Sequence, residues 1–208
     1  MNMNKKDLGL GFVIGGAVGL LVQPILTNLI HTSSFAVRGA AFVVLLFAGP
    51  VGVFAGWLLG KLHASIYQFT KFAAVGTLNT LINLGALNIL ITMSGIASGY
   101  VYSLFVLIGF LLATTNSFIW NKFWTFGDTS GVQAKQTLAF YALTAVGAAI
   151  NVGVASFIVN AVGHSGIAPA VWANVGGICG VAASFLWNFL GYKFFIFKKP
   201  SAPATAGA

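Results

Sequence analysis

The chain has 208 residues, 58% of them hydrophobic and 6% charged, with 10 Lys and Arg against 2 acidic residues and a formal net charge of +8. A water-facing globular surface needs about four times that share of charge, so a soluble domain is excluded and lipid is the implied solvent. Asp7 and Asp128 are the only carboxylates and stand far apart in sequence. Paired general acid–base catalysis or a carboxylate-held magnesium therefore has little to draw on, and a non-enzymatic protein without cofactor or metal is expected.

Apolar runs long enough to cross a bilayer, about 20 residues each, extend over Leu8 to Ile30, Gly39 to Gly60, Phe72 to Met93, Tyr100 to Asn121, Ala139 to Val162 and Ala170 to Tyr192. They lack the polar–apolar alternation of a lipid-facing barrel, so the expected fold is all-α with six transmembrane helices. Lys5, Lys6, Lys61, Lys71, Lys122, Lys135, Lys193, Lys198 and Lys199 fall on the side of the N-terminus, and Arg38 alone on the other. That bias predicts both termini in the cytoplasm. The cations are spread over membrane-edge loops, which suits anionic lipid headgroups rather than nucleic acid. Lys5-Lys6 opens a span-length run with no Ala-x-Ala pattern after it, which reads as an uncleaved first helix. Cys179 is single, so no disulfide framework is expected.

Residues 1–65 read as an accessory transmembrane hairpin. Gly11, Gly15 and Gly19 in its first helix and Gly52, Gly56 and Gly60 in its second recur every fourth residue, a spacing that lets backbones approach closely in lipid. The two stripes are expected to pack together, and Gln23-Pro24 and Gly49-Pro50 to bend or break their helices. Lys61 to Lys71 mixes cations with Tyr67 and Phe69 and reads as a headgroup-layer linker. Residues 66–199 form the core, and 200–208 a tail with nothing to bury.

The core is duplicated. Lys122 and Lys193 each begin a Lys-Phe-x-x-Phe sequence, and the offset of 71 between them also superposes Val75-Gly76 on Val146-Gly147 and Ser94-Gly-Ile-Ala97 on Ser165-Gly-Ile-Ala168. A competing register, at an offset of 67, aligns Ser117-Phe-Ile-Trp-Asn121 with Ser184-Phe-Leu-Trp-Asn188. Each unit of two spans returns to the side it left, so the copies are expected to be parallel.

Asn is unusually frequent in these spans: Asn79, Asn83, Asn88, Asn116, Asn121, Asn151, Asn160, Asn174 and Asn188. Asn79 and Asn83 share a helical face with Gly76. Each amide can bond a neighbouring helix or, because it donates and accepts without fixed charge, line a groove that passes phosphate and sugar hydroxyls. Lys122 and Lys193 read equally as snorkelling anchors among aromatic side chains and as point-charge phosphate ligands, with Lys71 a third candidate. Trp57, Tyr100, Tyr102 and Trp172 suit interfacial belts, and His31, His63 and His164 suit solvated loops. Gly176-Gly177-Ile-Cys-Gly180 lies within a span and suits helix packing rather than nucleotide binding.

Lys71-Phe-Ala-Ala-Val-Gly76 with Asn79 and Asn83, then Ser117-Phe-Ile-Trp-Asn-Lys-Phe-Trp-Thr-Phe126, then Asn188-Phe-Leu-Gly-Tyr-Lys-Phe-Phe-Ile-Phe197, together resemble the GtrA-like family of small bacterial membrane proteins. The resemblance covers about residues 68–198 and implies a four-helix core. It also implies movement of polyprenyl-phosphate-linked sugars across the cytoplasmic membrane for an outward-facing glycosyltransferase, with recruitment of such an enzyme as the alternative. The added N-terminal hairpin departs from the family pattern, and Ser117 stands where the second copy has Asn188. By resemblance Asn79, Asn83, Lys122, Asn188 and Lys193 are functional positions. The expected substrate-binding set is Lys71, Asn79, Asn83, Asn121, Lys122, Asn151, Asn188 and Lys193, and the expected partners are the sugar lipid, membrane lipids, a glycosyltransferase docking on the glycine faces of the first hairpin, and a second copy of the chain. A small cation channel is disfavoured because no carboxylate lies within a span.

Overall fold

The computed structural model describes residues 3–23, 26, 34–95, 99–162 and 169–197. Among them there is no strand. Among them six α-helices follow one another: α1 Lys5–Leu21, α2 Phe35–Leu59, α3 Ala64–Ser94, α4 Gly99–Trp120, α5 Ala134–Phe157 and α6 Pro169–Gly191. Among the described residues three segments, Phe35–Leu59, Ala134–Val154 and Cys179–Ile196, are long and apolar enough to cross a membrane, with mean hydropathies of 2.2, 1.6 and 1.2. Pro24, His31, His164 and the tail 200–208 lie outside the described residues, as do the side chains of Asn88, Tyr100, Tyr102, Asn160, Trp172 and Asn174.

Local chemistry explains the helix ends. The Asn4 side chain accepts from the Lys6 backbone N–H at 2.9 Å and caps α1, whose first turn carries Asp7, a charge that suits the positive end of the helix dipole. Ser34 caps α2 in the same way, and Gly60 follows its last turn. Lys61 to Lys71 is mostly helix rather than linker: α3 begins at Ala64 and runs for 31 residues, about 46 Å at 1.5 Å per residue. Only a short turn separates α2 from α3, with the Lys61 ammonium 4.3 Å from the centre of the Trp57 ring.

Among the described residues three π-helical turns interrupt or extend these helices, at Asn121–Thr125, Ile158–Val162 and Tyr192–Ile196. The first and third are the two Lys-Phe-x-x-Phe sequences, and their positions differ by 71 residues at both ends. Each is closed by the same wide bond, Phe126 N–H to Asn121 C=O at 2.9 Å and Phe197 N–H to Tyr192 C=O at 2.8 Å. The backbone thus selects the 71-residue register over its competitor. After Phe126 the chain leaves through Gly127 at φ 61°, a left-handed conformation that glycine adopts at no steric cost.

The chain divides into two compact units, Met1–Gly127 and Asp128–Ala208. Each holds one repeat copy. In the first, Ile14, Val18, Val53, Tyr67, Val75, Leu78 and Trp124 form the core. The N-terminal hairpin is therefore built into the first copy, with α1 and α2 both packed on α3. In the second, the Phe140 and Tyr192 rings stack at 4.1 Å, with Phe197 against both.

The glycine stripes pack differently from the expectation. A methyl at Gly11 would lie 2.9 Å from Pro50 Cα, one at Gly15 would lie 2.5 Å from the Leu45 carbonyl, and one at Gly49 would strike the Gly11 carbonyl. The partner of the α1 stripe is therefore the Phe42–Pro50 stretch of α2 and not Gly52, Gly56 and Gly60. Gly56 receives Thr70 of α3, and Gly52 faces open space. Nor does Gly49-Pro50 end its helix, since α2 continues through it to Leu59. At the far end of the hairpin Arg38 Nε donates to Gln23 Oε1 at 3.2 Å.

In lipid the attraction between helices comes from close van der Waals packing, so filling a glycine contact removes what holds the pair. Gly15→Ala is expected to destabilise the detergent-solubilised protein by about 1–3 kcal/mol. Gly52→Ala is expected to leave it unchanged or up to about 1 kcal/mol more stable, since alanine is the better helix former. Thermal unfolding of the two variants side by side checks this, and equal losses would contradict the contact assignment.

Candidate functional site

The first unit is centred on a buried carboxylate. Asp7 in the first turn of α1 is 7% exposed, and three donors from two other elements meet it. Lys71 Nζ lies 2.8 Å from Oδ2, Tyr67 Oη donates to the same oxygen at 2.7 Å, and Trp124 Nε1 donates to Oδ1 at 2.8 Å. Tyr67 and Lys71 lie four residues apart on α3, hence on one helical face. Trp124 reaches the carboxylate from the first π-turn.

Aromatic faces complete the enclosure. The Lys71 ammonium is 4.5 Å from the centre of the Tyr67 ring and 5.6 Å from that of Trp124, within cation–π range. Trp120 meets Trp124 edge-on at 5.6 Å. Burial by itself would raise the Asp7 carboxyl, but the bonds from Lys71 and Tyr67 outweigh it and hold the group below its ordinary value. The same burial, together with the Asp7 charge, pushes the Tyr67 hydroxyl far above its ordinary range, so it stays a donor at any physiological pH. Beside this cluster is a cleft of about 470 Å³ lined by Asn4, Lys6, Asp7, Lys71, Trp120 and Trp124, among others.

Next to the cluster, the π-turn buries Asn121 and Lys122 completely, each 0% exposed, with Thr125 at 3%. Single π-turns are rare and frequent at functional sites. A side chain enclosed in this way is no snorkelling anchor, so that reading of Lys122 fails. Its ammonium lies 5.7 Å from the centre of the Phe123 ring. Asn121 donates to Ser117 Oγ at 3.1 Å, while Asn121 Oδ1 and Thr125 Oγ1 are buried with no hydrogen-bond partner among the described residues. Burying an acceptor without a partner costs about 1–3 kcal/mol.

The second copy solves the same turn differently. Tyr192 stands where the first copy has Asn121, Ala142 where it has Lys71, and Phe195 where it has Trp124. The Tyr192 hydroxyl pairs with Thr144 at 2.5 Å. Lys193 is half-buried between the rings of Phe189 and Phe194, at 5.8 and 5.4 Å. Gln136 donates to Asp128 Oδ2 at 2.7 Å and to the Ile196 carbonyl at 3.1 Å, so the second carboxylate of the chain is also tied to a π-turn. Among the described residues the ionic cluster itself occurs once.

The remaining sequence candidates disperse. Asn79 accepts from Asn116 at 2.7 Å, an interhelical amide pair of α3 and α4. Asn83 lies against Gly109 of α4. Asn188 presses on Gly147, and its Oδ1 is buried without a partner among the described residues. Asn151 is half-buried on α5. Lys71 does belong to the site, though as the partner of Asp7. Sequence reasoning missed Asp7, Tyr67 and Trp124 as one cluster, because 117 positions separate Asp7 from Trp124. The available signal was the scarcity of carboxylates: a buried one must be paired, but nothing in the sequence says with which of nine lysines.

Residues 71–197, more than half of the chain, match the family described as GtrA/DPMS, transmembrane domain. The chain belongs to that family. No curated protein matches it. The matched region of this GtrA/DPMS member starts at Lys71 and contains all three described π-turns, whereas Asp7 and Tyr67 precede it.

Removing one partner of a buried pair leaves the other uncompensated, a loss of about 3 kcal/mol. Asp7→Ala and Lys71→Met are each expected to lower unfolding stability by that order, and the double variant by at least about 1 kcal/mol less than the sum. A sum that is simply additive would dissolve the pair. Because the native Asp7 carboxyl is depressed, its contribution is fully present above the unfolded-state value and is lost as pH falls through the native one. Thermal unfolding of the wild type should therefore weaken below about pH 4 more steeply than that of Asp7→Asn.

Proposed function

We propose that the protein moves a polyprenyl-phosphate-linked sugar across the bacterial cytoplasmic membrane, without chemical change to it, for use in cell-surface glycosylation. Membership in the GtrA/DPMS transmembrane-domain family supports a role in handling lipid-linked sugars. The observation that carries the reading is the cleft lined by Lys6, Lys71, Trp120 and Trp124, in the unit whose first π-turn encloses Lys122.

A phosphate-bearing headgroup faces a hydrocarbon barrier in which even one charged side chain costs about 2.5–3.5 kcal/mol or more. Fixed cations lower that cost at the membrane edge, and indole faces suit the apolar face of a sugar ring. Hydroxyls of the sugar would supply donors to acceptors such as Asn121 Oδ1. Lys193 is the corresponding position of the second copy, and Asn151 and Asn188 would serve that copy, while the prenyl chain stays in lipid. In this reading the chain crosses the membrane six times with both termini in the cytoplasm, as nine cations on one side favour, and it works as an oligomer.

A scaffold that holds a glycosyltransferase through the glycine faces of the hairpin is less well supported. Gly11, Gly15 and Gly49 are already filled by the contact of α1 with α2.

In proteoliposomes containing a polyprenyl-phosphate sugar, Lys122→Ala combined with Lys193→Ala is expected to lower the translocation rate at least about tenfold, equivalent to about 1.4 kcal/mol, with the lipid recovered unaltered. An undiminished rate would remove the lysines from the mechanism. Transport that depends on an added glycosyltransferase would favour the scaffold.

A further inference from the structure

The cluster at Asp7 has the make-up of an anion receptor. Its three groups, Lys71 Nζ, Tyr67 Oη and Trp124 Nε1, are all donors, and they converge on one carboxylate at 2.8, 2.7 and 2.8 Å. A cation with two further donors serves a phosphate oxygen as well as a carboxylate oxygen. Two of the donors differ in origin from the occupant, while Tyr67, like Asp7, precedes the matched region. Lys71 and Trp124 lie in the family-matched region, while Asp7 comes from the helix that precedes it. The cleft of about 470 Å³ reaches Asp7 and Lys71 directly and brings Lys6 to its wall, so an incoming anion would meet a second cation there.

We propose that Lys71, Tyr67 and Trp124 form a phosphate site, for a lipid phosphate headgroup or a free phosphate, which Asp7 occupies as a tethered competitor. The inference deepens the function proposed above and rests on it. Phosphate entering from the cleft exchanges with the Asp7 carboxylate at Lys71 and Trp124, and no covalent bond is made or broken. A tethered group competes at a fixed effective concentration whatever the protein concentration, so Asp7 sets how tightly phosphate binds and gives the first turn of α1 a released state. A purely structural ion pair would keep Asp7 in place whatever anion is present.

Asp7 and Asp128 are the only acidic residues of the chain, which makes the exchange directly observable. Full-length protein labelled with ¹³C-carboxyl aspartate in neutral-lipid nanodiscs gives two side-chain signals, assigned with Asp128→Asn. One arm adds inorganic phosphate, and the other adds a polyprenyl phosphate to the bilayer. The Asp7 signal is expected to move on saturation and the Asp128 signal to stay, and the arm in which this happens names the source of the phosphate. Asp7→Asn, which keeps the shape and removes the charge, is expected to bind the same probe at least about tenfold more tightly, and adding Lys71→Met is expected to abolish the gain. Saturable binding with an unmoved Asp7 signal overturns the proposal, as does unchanged affinity in a folded Asp7→Asn protein. If Asp7→Asn does not fold, the labelled wild type decides alone. No binding in either arm, with translocation intact, overturns this site and leaves the functional reading standing; absence of translocation by the wild type overturns that reading itself.

Discussion

A single buried carboxylate organises the first half of this protein. In a chain with so little charge, an aspartate withdrawn from water must find a cation and donors or remain neutral, and Asp7 finds Lys71, Tyr67 and Trp124. Those partners belong to α3 and to the turn that ends α4, so one side chain fixes the N-terminus of α1 against both helices of the first repeat. The hairpin is thereby part of the compact unit and no separate appendage. Its own two helices meet through the glycine contact around Gly11, Gly15 and Gly49, and the Asp7 cluster fixes where the pair sits on α3.

The π-turns are the second constraint. A turn of this kind is rare, and here one recurs at the same place in both copies, at each Lys-Phe-x-x-Phe sequence. What surrounds it has diverged. The first copy places Asn121 and Thr125 against the turn with buried acceptors left over, next to the ionic cluster. The second fills the equivalent position with Tyr192, stacked on Phe140 and bonded to Thr144. Duplication has preserved the backbone device and the lysine, while the chemistry beside it has become polar in one copy and aromatic in the other.

This divergence bears on how a membrane protein with few charges could handle a charged headgroup. A buried amide or ammonium is costly unless it is paired or used, and the first copy keeps several: Lys71, Asn121, Lys122 and Thr125 are all buried. The amides of Asn79 and Asn116 are spent on holding α3 to α4, which leaves the region near the first π-turn as the more polar, more open part of its unit. The cleft there is lined by Trp120 and Trp124, whose rings meet edge to face.

Composition alone determined the solvent, because so apolar a chain cannot cover itself for water, and the length of the apolar runs determined that its elements are helices. The 71-residue repeat was likewise legible, since identical spacing of Lys122 and Lys193 imposes the same local backbone twice. The glycine stripe of α1 was visible as a packing face, but its partner was not, because helices choose contacts by depth and rotation, and the stretch around Leu45 and Pro50 fitted where Gly52 did not. The ionic cluster was decided by tertiary structure alone. Sequence shows that Asp7 and Lys71 exist; only the fold brings positions 7, 67, 71 and 124 within hydrogen-bonding distance, and that meeting turns an aspartate expected merely to lie outside the spans into the centre of the site.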